Sequence, residues 1–205
     1  MISAVPKQKF IFLGRGGGLL EFNNSKSKEF YDYWLSMPRE GLVPSRSSFR
    51  PENVPSLLSN FMIYELISKD HIKVRLLGSA LSDKFGGNSA GENYLDFVEG
   101  PRKEIASEAL WSVVNKPCGM RVVLEQVLKS GLTVCMESIG LPLLNEEGGN
   151  PMILFQKNEL DCEKRVPEAG YDPIRYYRLF RRDFIDIGAG LSEVENLVFH
   201  SETAV

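Results

Sequence analysis

Histidine and cysteine are scarce in this chain, and their scarcity removes several chemistries at once. Only two histidines, His71 and His200, occur in 205 residues, too widely separated to form a local metal-binding motif. The three cysteines, Cys118, Cys135 and Cys162, include no CxxC pair, so neither a zinc knuckle nor a disulfide framework can be read from them. A reducing cytoplasm is the simple expectation. No run approaches the ~18 uncharged apolar residues of a membrane helix. The apolar start of residues 10–20 breaks at Arg15 and a glycine run, without the h-region and cleavage site of a signal peptide. An excess of positive charge is also missing: 24 Lys and Arg stand against 27 Asp and Glu, so no global basic field draws the chain to nucleic acid or anionic lipid. What is present is an ordinary globular composition, 43% hydrophobic and 25% charged, in a chain long enough to bury a core without staples.

Periodic segments give the organisation. Residues 1–23 read as a flexible arm, and residues 24–60 as a helix followed by a connector. In residues 24–37, Phe30, Trp34 and Met37 recur at i, i+4, i+7, with Asn24 or Ser25 as N-cap and Pro38 as stop, which predicts an amphipathic helix. Pro44, Pro51 and Pro55 punctuate the connector, and residues 56–60 form at most a helical turn. Residues 61–66 and 72–77 predict an antiparallel hairpin, the second strand alternating Ile72, Val74 and Leu76 with Lys73 and Arg75. Short helical pieces at residues 81–85 and 93–98 follow. A longer helix then starts at Pro101 and stops before Pro117, with Ile105, Ala109, Leu110 and Val113 on its apolar side. Strand signals at residues 120–128, 132–144 and 152–156 predict a three-stranded meander. Two strands, helices and three strands make a mixed α+β fold with one antiparallel sheet.

The chain resembles a known family at three places: the Trp-containing helix segment YDYW at residues 31–34, the Pro-spaced RPENVPSLL at residues 50–58, and RLLGSALSDKFGGNSAGENYLDF at residues 75–97. Together they resemble the stand-alone PAS-domain proteins of alphaproteobacteria, over roughly residues 25–159, and IDIGAG at residues 185–190 is similar to a segment near the end of some of them. Where many of those proteins have an acidic residue and a threonine before the second glycine, this chain has Asn88 and Ala90. The resemblance implies a PAS-like five-stranded antiparallel sheet with helices on one face, its core at residues 61–159. The N-terminal helix precedes this core and a C-terminal extension at residues 160–205 follows it. It also implies a sensory, dimerising, cytoplasmic module without an output domain of its own, acting through a small ligand or a protein partner.

Such a sheet covered by helices can leave an apolar pocket, and the inward positions expected to line it are Phe85, Tyr94, Phe97, Leu110, Val114, Val134, Met136 and Leu154. Phe30, Trp34 and Met37 are the expected dimer contacts. Among cargoes of the class, haem is disfavoured because residues 101–116 contain no histidine, and covalently reacting flavin because Cys118 and Cys135 fall in the later strands. Both cysteines read instead as small buried residues.

Other chemistries are weaker. GRGGG at residues 14–18 lacks the Gly-Lys-Ser or Gly-Lys-Thr of a phosphate loop. Glu125 and Glu137 could pair across the meander as an acid/base dyad, but charges on a sheet more often face solvent, so enzyme activity is the minor reading. In residues 174–184, Arg175, Arg178 and Arg182 share one helical face and Tyr177, Phe180 and Phe184 another. That pattern suits an amphipathic packing segment; a regulator touching nucleic acid through it is the alternative function.

Overall fold

The computed structural model describes residues 10–13, 19–85, 89–98, 100–131, 133–160, 174–191, 194 and 197–200. The segment expected to be a flexible arm carries a hairpin, β1 (Phe10–Leu13) paired with β2 (Leu19–Phe22), and Phe22 is fully buried at its end. Gly14 to Gly18 lie outside the described residues. Helix α1 (Ser25–Ser36) follows, capped by the Asn24 side chain, which accepts from the Lys26 N–H at 2.9 Å. Short 3-10 turns fill the connector at Arg46–Ser48, Pro51–Asn53 and Pro55–Asn60.

The main sheet then begins with β3 (Phe61–Ser68) and β4 (His71–Leu77), crosses through α2 (Ser79–Phe85), a 3-10 turn at Tyr94–Phe97 and α3 (Gly100–Asn115), and continues with β5 (Cys118–Leu128), β6 (Thr133–Leu143) and β7 (Met152–Glu159). Every expected element of the core is therefore found, in an antiparallel α+β arrangement.

The sheet is wider than expected. β8 (Ile174–Asp186) pairs along β5, and β9 (Phe199–His200) pairs with β8, giving seven strands among the described residues in the order β4-β3-β7-β6-β5-β8-β9. Helical spacing misread β8. Its Tyr177, Leu179, Arg182 and Phe184 follow a strand's alternation interrupted by a bulge near Phe180, where the register against β5 shifts between Val123 and Leu124.

The helices between the strands cover one face, and the N-terminal helix covers the other. On one face α1 lays Phe30, Tyr31 and Trp34 against Ile139, Leu141, Leu143 and Leu154; on the other, α2 and α3 pack over Met62, Ile153, Phe155 and Met120. This is why β6 and β7 are buried almost end to end. Phe30, Trp34 and Met37, expected to meet a second copy, are at most 3% exposed and belong to this chain's own core. Each buried aromatic contributes about 1.5–3 kcal/mol when it leaves water, so the apolar stripe of α1 is satisfied within the chain. Trp34 Nε1 donates to the Pro142 carbonyl at 3.0 Å. Pro142 lies past the end of the β5–β6 ladder at Gly140 while still paired with Ile153 of β7.

A buried anion ties this face together. Glu137 on β6, fully buried, accepts from the backbone N–H of Asn23 at 2.9 and 3.1 Å, from that of Asn24 at 3.1 Å and from Arg121 Nε at 2.8 Å. Arg121 reaches on to Asp183 of β8 at 3.0 Å, and Arg181 meets the same carboxylate at 2.6 Å. Glu125 is paired separately with Arg178 at 2.8 Å. The dyad considered for Glu125 and Glu137 as the minor reading is not formed: Glu125 lies opposite Cys135 and Glu137 opposite Val123, and each carboxylate is held by its own arginine.

Removing one partner from such a buried pair strands the other charge. Glu137→Ala is expected to lower unfolding stability in urea by about 3–5 kcal/mol. A loss no larger than that of an ordinary surface substitution would show that the tie is not structural.

Candidate functional site

On the α3 face the layers do not close. β6 presents small residues there, Ser138 and Gly140, and α3 presents Ala106 and Ala109 across from the sheet. A Cβ at Gly140 would strike the ring of Phe155, so glycine is what lets that ring lie across the sheet. Small side chains in facing layers leave the space between them unfilled, and the result is a cavity of about 540 Å³. The size is within the range of small-molecule sites.

Its walls are mostly apolar: Met62, Phe155, Met120, Val122 and Leu124 from the sheet, Leu110 from α3, and Leu197 from the segment before β9. Tyr64 packs against Tyr94 and Phe155, with ring centroids 4.7 and 5.1 Å apart. Burial pushes the phenols of Tyr64, Tyr94 and Tyr177 up, so all three stay neutral donors at physiological pH. At the rim Ile105, Val198 and Phe199 are exposed apolar residues.

The roof is held by the motif that carried the family resemblance. Asn93 accepts from the N–H of Ile72 and of Leu95 and donates to the Asp70 carbonyl, fixing the Tyr94–Phe97 turn to the β3–β4 hairpin. Gly78 at the end of β4 lies so close to the Ser59 carbonyl that no side chain fits there, and Gly91 has φ +97°, a conformation that favours glycine.

Two cations stand inside. Lys157 on β7 is almost fully buried, with its ammonium 5.7 Å from the Tyr177 ring centroid, and burial lowers its pKa to about 8. Arg182 on β8 is 8% exposed; its Nη1 donates to the Leu197 carbonyl at 3.4 Å while its Nε has no partner. Between them Ser138 Oγ is likewise buried and without a partner. Sheet register places these residues in one row: Lys157 opposite Ser138, Ser138 opposite Val122, Val122 opposite Arg182.

Of the residues expected to line the site, Tyr94, Phe97 and Leu110 do so. Val114 packs on the neighbouring core instead, and Val134 and Met136 sit on the cavity's side of the sheet in a separate cluster with Leu124 and Leu128. Leu154 points to the opposite face, under α1, because it follows Ile153 and precedes Phe155 on a strand buried on both sides. The Phe85 side chain lies outside the described residues. Sequence reading passed over Lys157, Ser138 and Ala106, and it gave Ala109 and Arg182 other roles, on the apolar side of the long helix and on a helical arginine face. The available signals were small residues at alternate positions of β6 and a polar run, Gln156, Lys157 and Asn158, continuing an apolar strand.

Cys118 is a buried free thiol with its pKa pushed up to about 12, mainly by burial, and is inert as expected. Cys135 is half-buried and disulfide-bonded, which corrects its reading as a small buried residue. Among the described residues no helix is long and apolar enough to cross a membrane, and no cluster of His, Cys, Asp and Glu could hold a metal ion.

A family profile for the PAS domain matches residues 22–155, and the chain belongs to that family. A solved structure described as "Flavin Analogue Sheds Light on Light-Oxygen-Voltage Domain Mechanism" is similar at 16% identity and a TM-score of 0.40, covering 54% of this chain and 83% of that chain. No curated protein matches.

The buried ammonium makes stability depend on pH. Its folded pKa, about 8, lies below the usual 10.5, so the penalty for burying charge is full below pH 8 and disappears as pH rises through 10.5. Lys157→Met is expected to be more stable than the parent protein in urea at pH 7, by a few kcal/mol, with the gap closing toward pH 10. A gap independent of pH would show that Lys157 is not desolvated in the folded state.

Proposed function

We propose that this protein is a sensory signalling module that takes a small, largely apolar molecule into the cavity between α3 and the sheet and passes the signal to a protein partner. The observation that carries the reading is the cavity itself, roofed by Ala106 and Ala109 over Ser138 on a sheet whose other face is closed by α1. Membership of the PAS family supports a sensory role. The mechanism is a population shift: a ligand that prefers one placement of α3, or of the β8–β9 edge, changes the exposed surface by its differential affinity for the two arrangements. A second copy of the chain, or another partner, has to meet surfaces other than Phe30, Trp34 and Met37, which the core already uses.

The alternatives lose support. Arg178 and Arg181 are paired with Glu125 and Asp183, and Arg182 faces the cavity, so these arginines do not form one phosphate-tracking stripe. The two sheet carboxylates are each bound by a separate arginine and do not face each other, so the acid/base pair considered for them loses its geometric support.

The neutral apolar dye N-phenyl-1-naphthylamine tests the reading directly. The protein is expected to take it up with enhanced, blue-shifted emission, and Ala109→Phe, which fills the space under α3, is expected to abolish uptake while circular dichroism stays unchanged. Absence of uptake by the parent protein, or equal uptake by the filled variant, would contradict it.

A further inference from the structure

An apolar cavity whose described lining carries more positive than negative side chains selects its ligand by sign as well as by shape. Among the described lining residues three are cationic, Arg102, Lys157 and Arg182, and one is acidic, Glu108, which is exposed on α3. Arg102 is at the exposed rim and donates to the Tyr177 carbonyl at 3.1 Å. Arg182 is different: it is buried, it has no carboxylate partner among the described residues, and one of its donors is unused. Leaving a guanidinium in that state is costly, because its desolvation is offset by a single long bond to a carbonyl. Three other arginines of the sheet show the ordinary solution, each with an aspartate or glutamate within 3.0 Å: Arg121, Arg178 and Arg181.

Resting on the cavity reading above, we propose that the ligand is an amphipathic carboxylate, its apolar body lying between Phe155, Met120 and α3 and its carboxylate bound by Arg182 with the Ser138 hydroxyl. The row of register supplies the geometry. Ser138 and Arg182 flank Val122, two strand spacings or about 9–10 Å apart at the backbone. A carboxylate over Val122 meets the long arginine side chain from one side and the serine from the other. Both orphaned donors are then satisfied by one group, and a planar guanidinium is suited to a carboxylate's two oxygens. Lys157 at the other end of the row adds positive potential without having to touch the ligand. Exposed Ile105, Val198 and Phe199 at the rim give an apolar tail a path inward.

The test compares matched pairs on the full chain at pH 7: decanoate against decan-1-ol, and 2-naphthoate against 2-naphthol, each displacing N-phenyl-1-naphthylamine. At least one carboxylate is expected to compete about tenfold or more better than its alcohol, as a charge-assisted contact in a dry site should allow. Arg182→Met is expected to erase that preference. Dye uptake with no preference in either pair overturns the anionic assignment and leaves the cavity reading standing. A preference that survives in Arg182→Met overturns the role of Arg182. If that variant fails to fold, the comparison in the parent protein still decides for or against a carboxylate, and Ser138→Ala reports on the second donor by a smaller loss of preference. A protein that takes up no dye at all sinks the cavity reading, and this assignment with it.

Discussion

Glu137 is the point on which the rest of the molecule hangs. One buried carboxylate gathers the backbone where β2 turns into α1, binds Arg121 on the neighbouring strand, and through Arg121 reaches Asp183 on β8. Four segments far apart in sequence are thereby fixed around one charge. An isolated ion in the interior would be intolerable, but here it accepts from two backbone N–H groups and a guanidinium, so the desolvation cost is answered locally. The consequence is architectural. With its entry pinned, α1 can deliver Phe30, Tyr31 and Trp34 flat onto the sheet, and that face is closed.

Closing one face determines what the other can do. Where α1 covers β6 and β7 that face is closed, and the residues that point away from α1 are free to be small. Ser138 and Gly140 on the central strand, set against Ala106 and Ala109 on α3, leave a space that larger residues would have filled. The two faces of β6 therefore read as opposites: Ile139, Leu141 and Leu143 interlock with α1, while Ser138 on the other side borders a cavity. A cavity lined by aromatic and aliphatic groups, with a desolvated lysine and a buried arginine on its floor, has the composition of a selective binding site, and the proposed function builds on that composition.

The sequence carried the core elements because their signals are local. Alternation in Ile72 to Leu76, the Pro101 start of α3 and the spacing of Phe30, Trp34 and Met37 each report a period, and each element stands where that period put it. Periodicity reports burial, however, and not which body does the burying. Phe30, Trp34 and Met37 were assigned to a second copy when the sheet itself takes them. The same limit misplaced Leu154, since a strand buried on both sides has no polar face to mark which way a residue points. Residues 174–186 misled for another reason: a bulge at Phe180 shifts the alternation, and the resulting arginine and aromatic spacing imitates a helix. Cavities are harder still to foresee, because they depend on small residues from two layers meeting. Ser138 and Ala109 are unremarkable alone and informative only once register and packing bring them together.

The central claim is that the two faces differ, one sealed and one receptive. Methyl-resolved NMR of the protein titrated with decanoate measures that difference directly. The account predicts shifts at Met62, Leu110, Met120 and Val122, with Ile139, Leu141 and Leu143 unmoved. Shifts confined to the α1 face, or spread evenly over both, would contradict it.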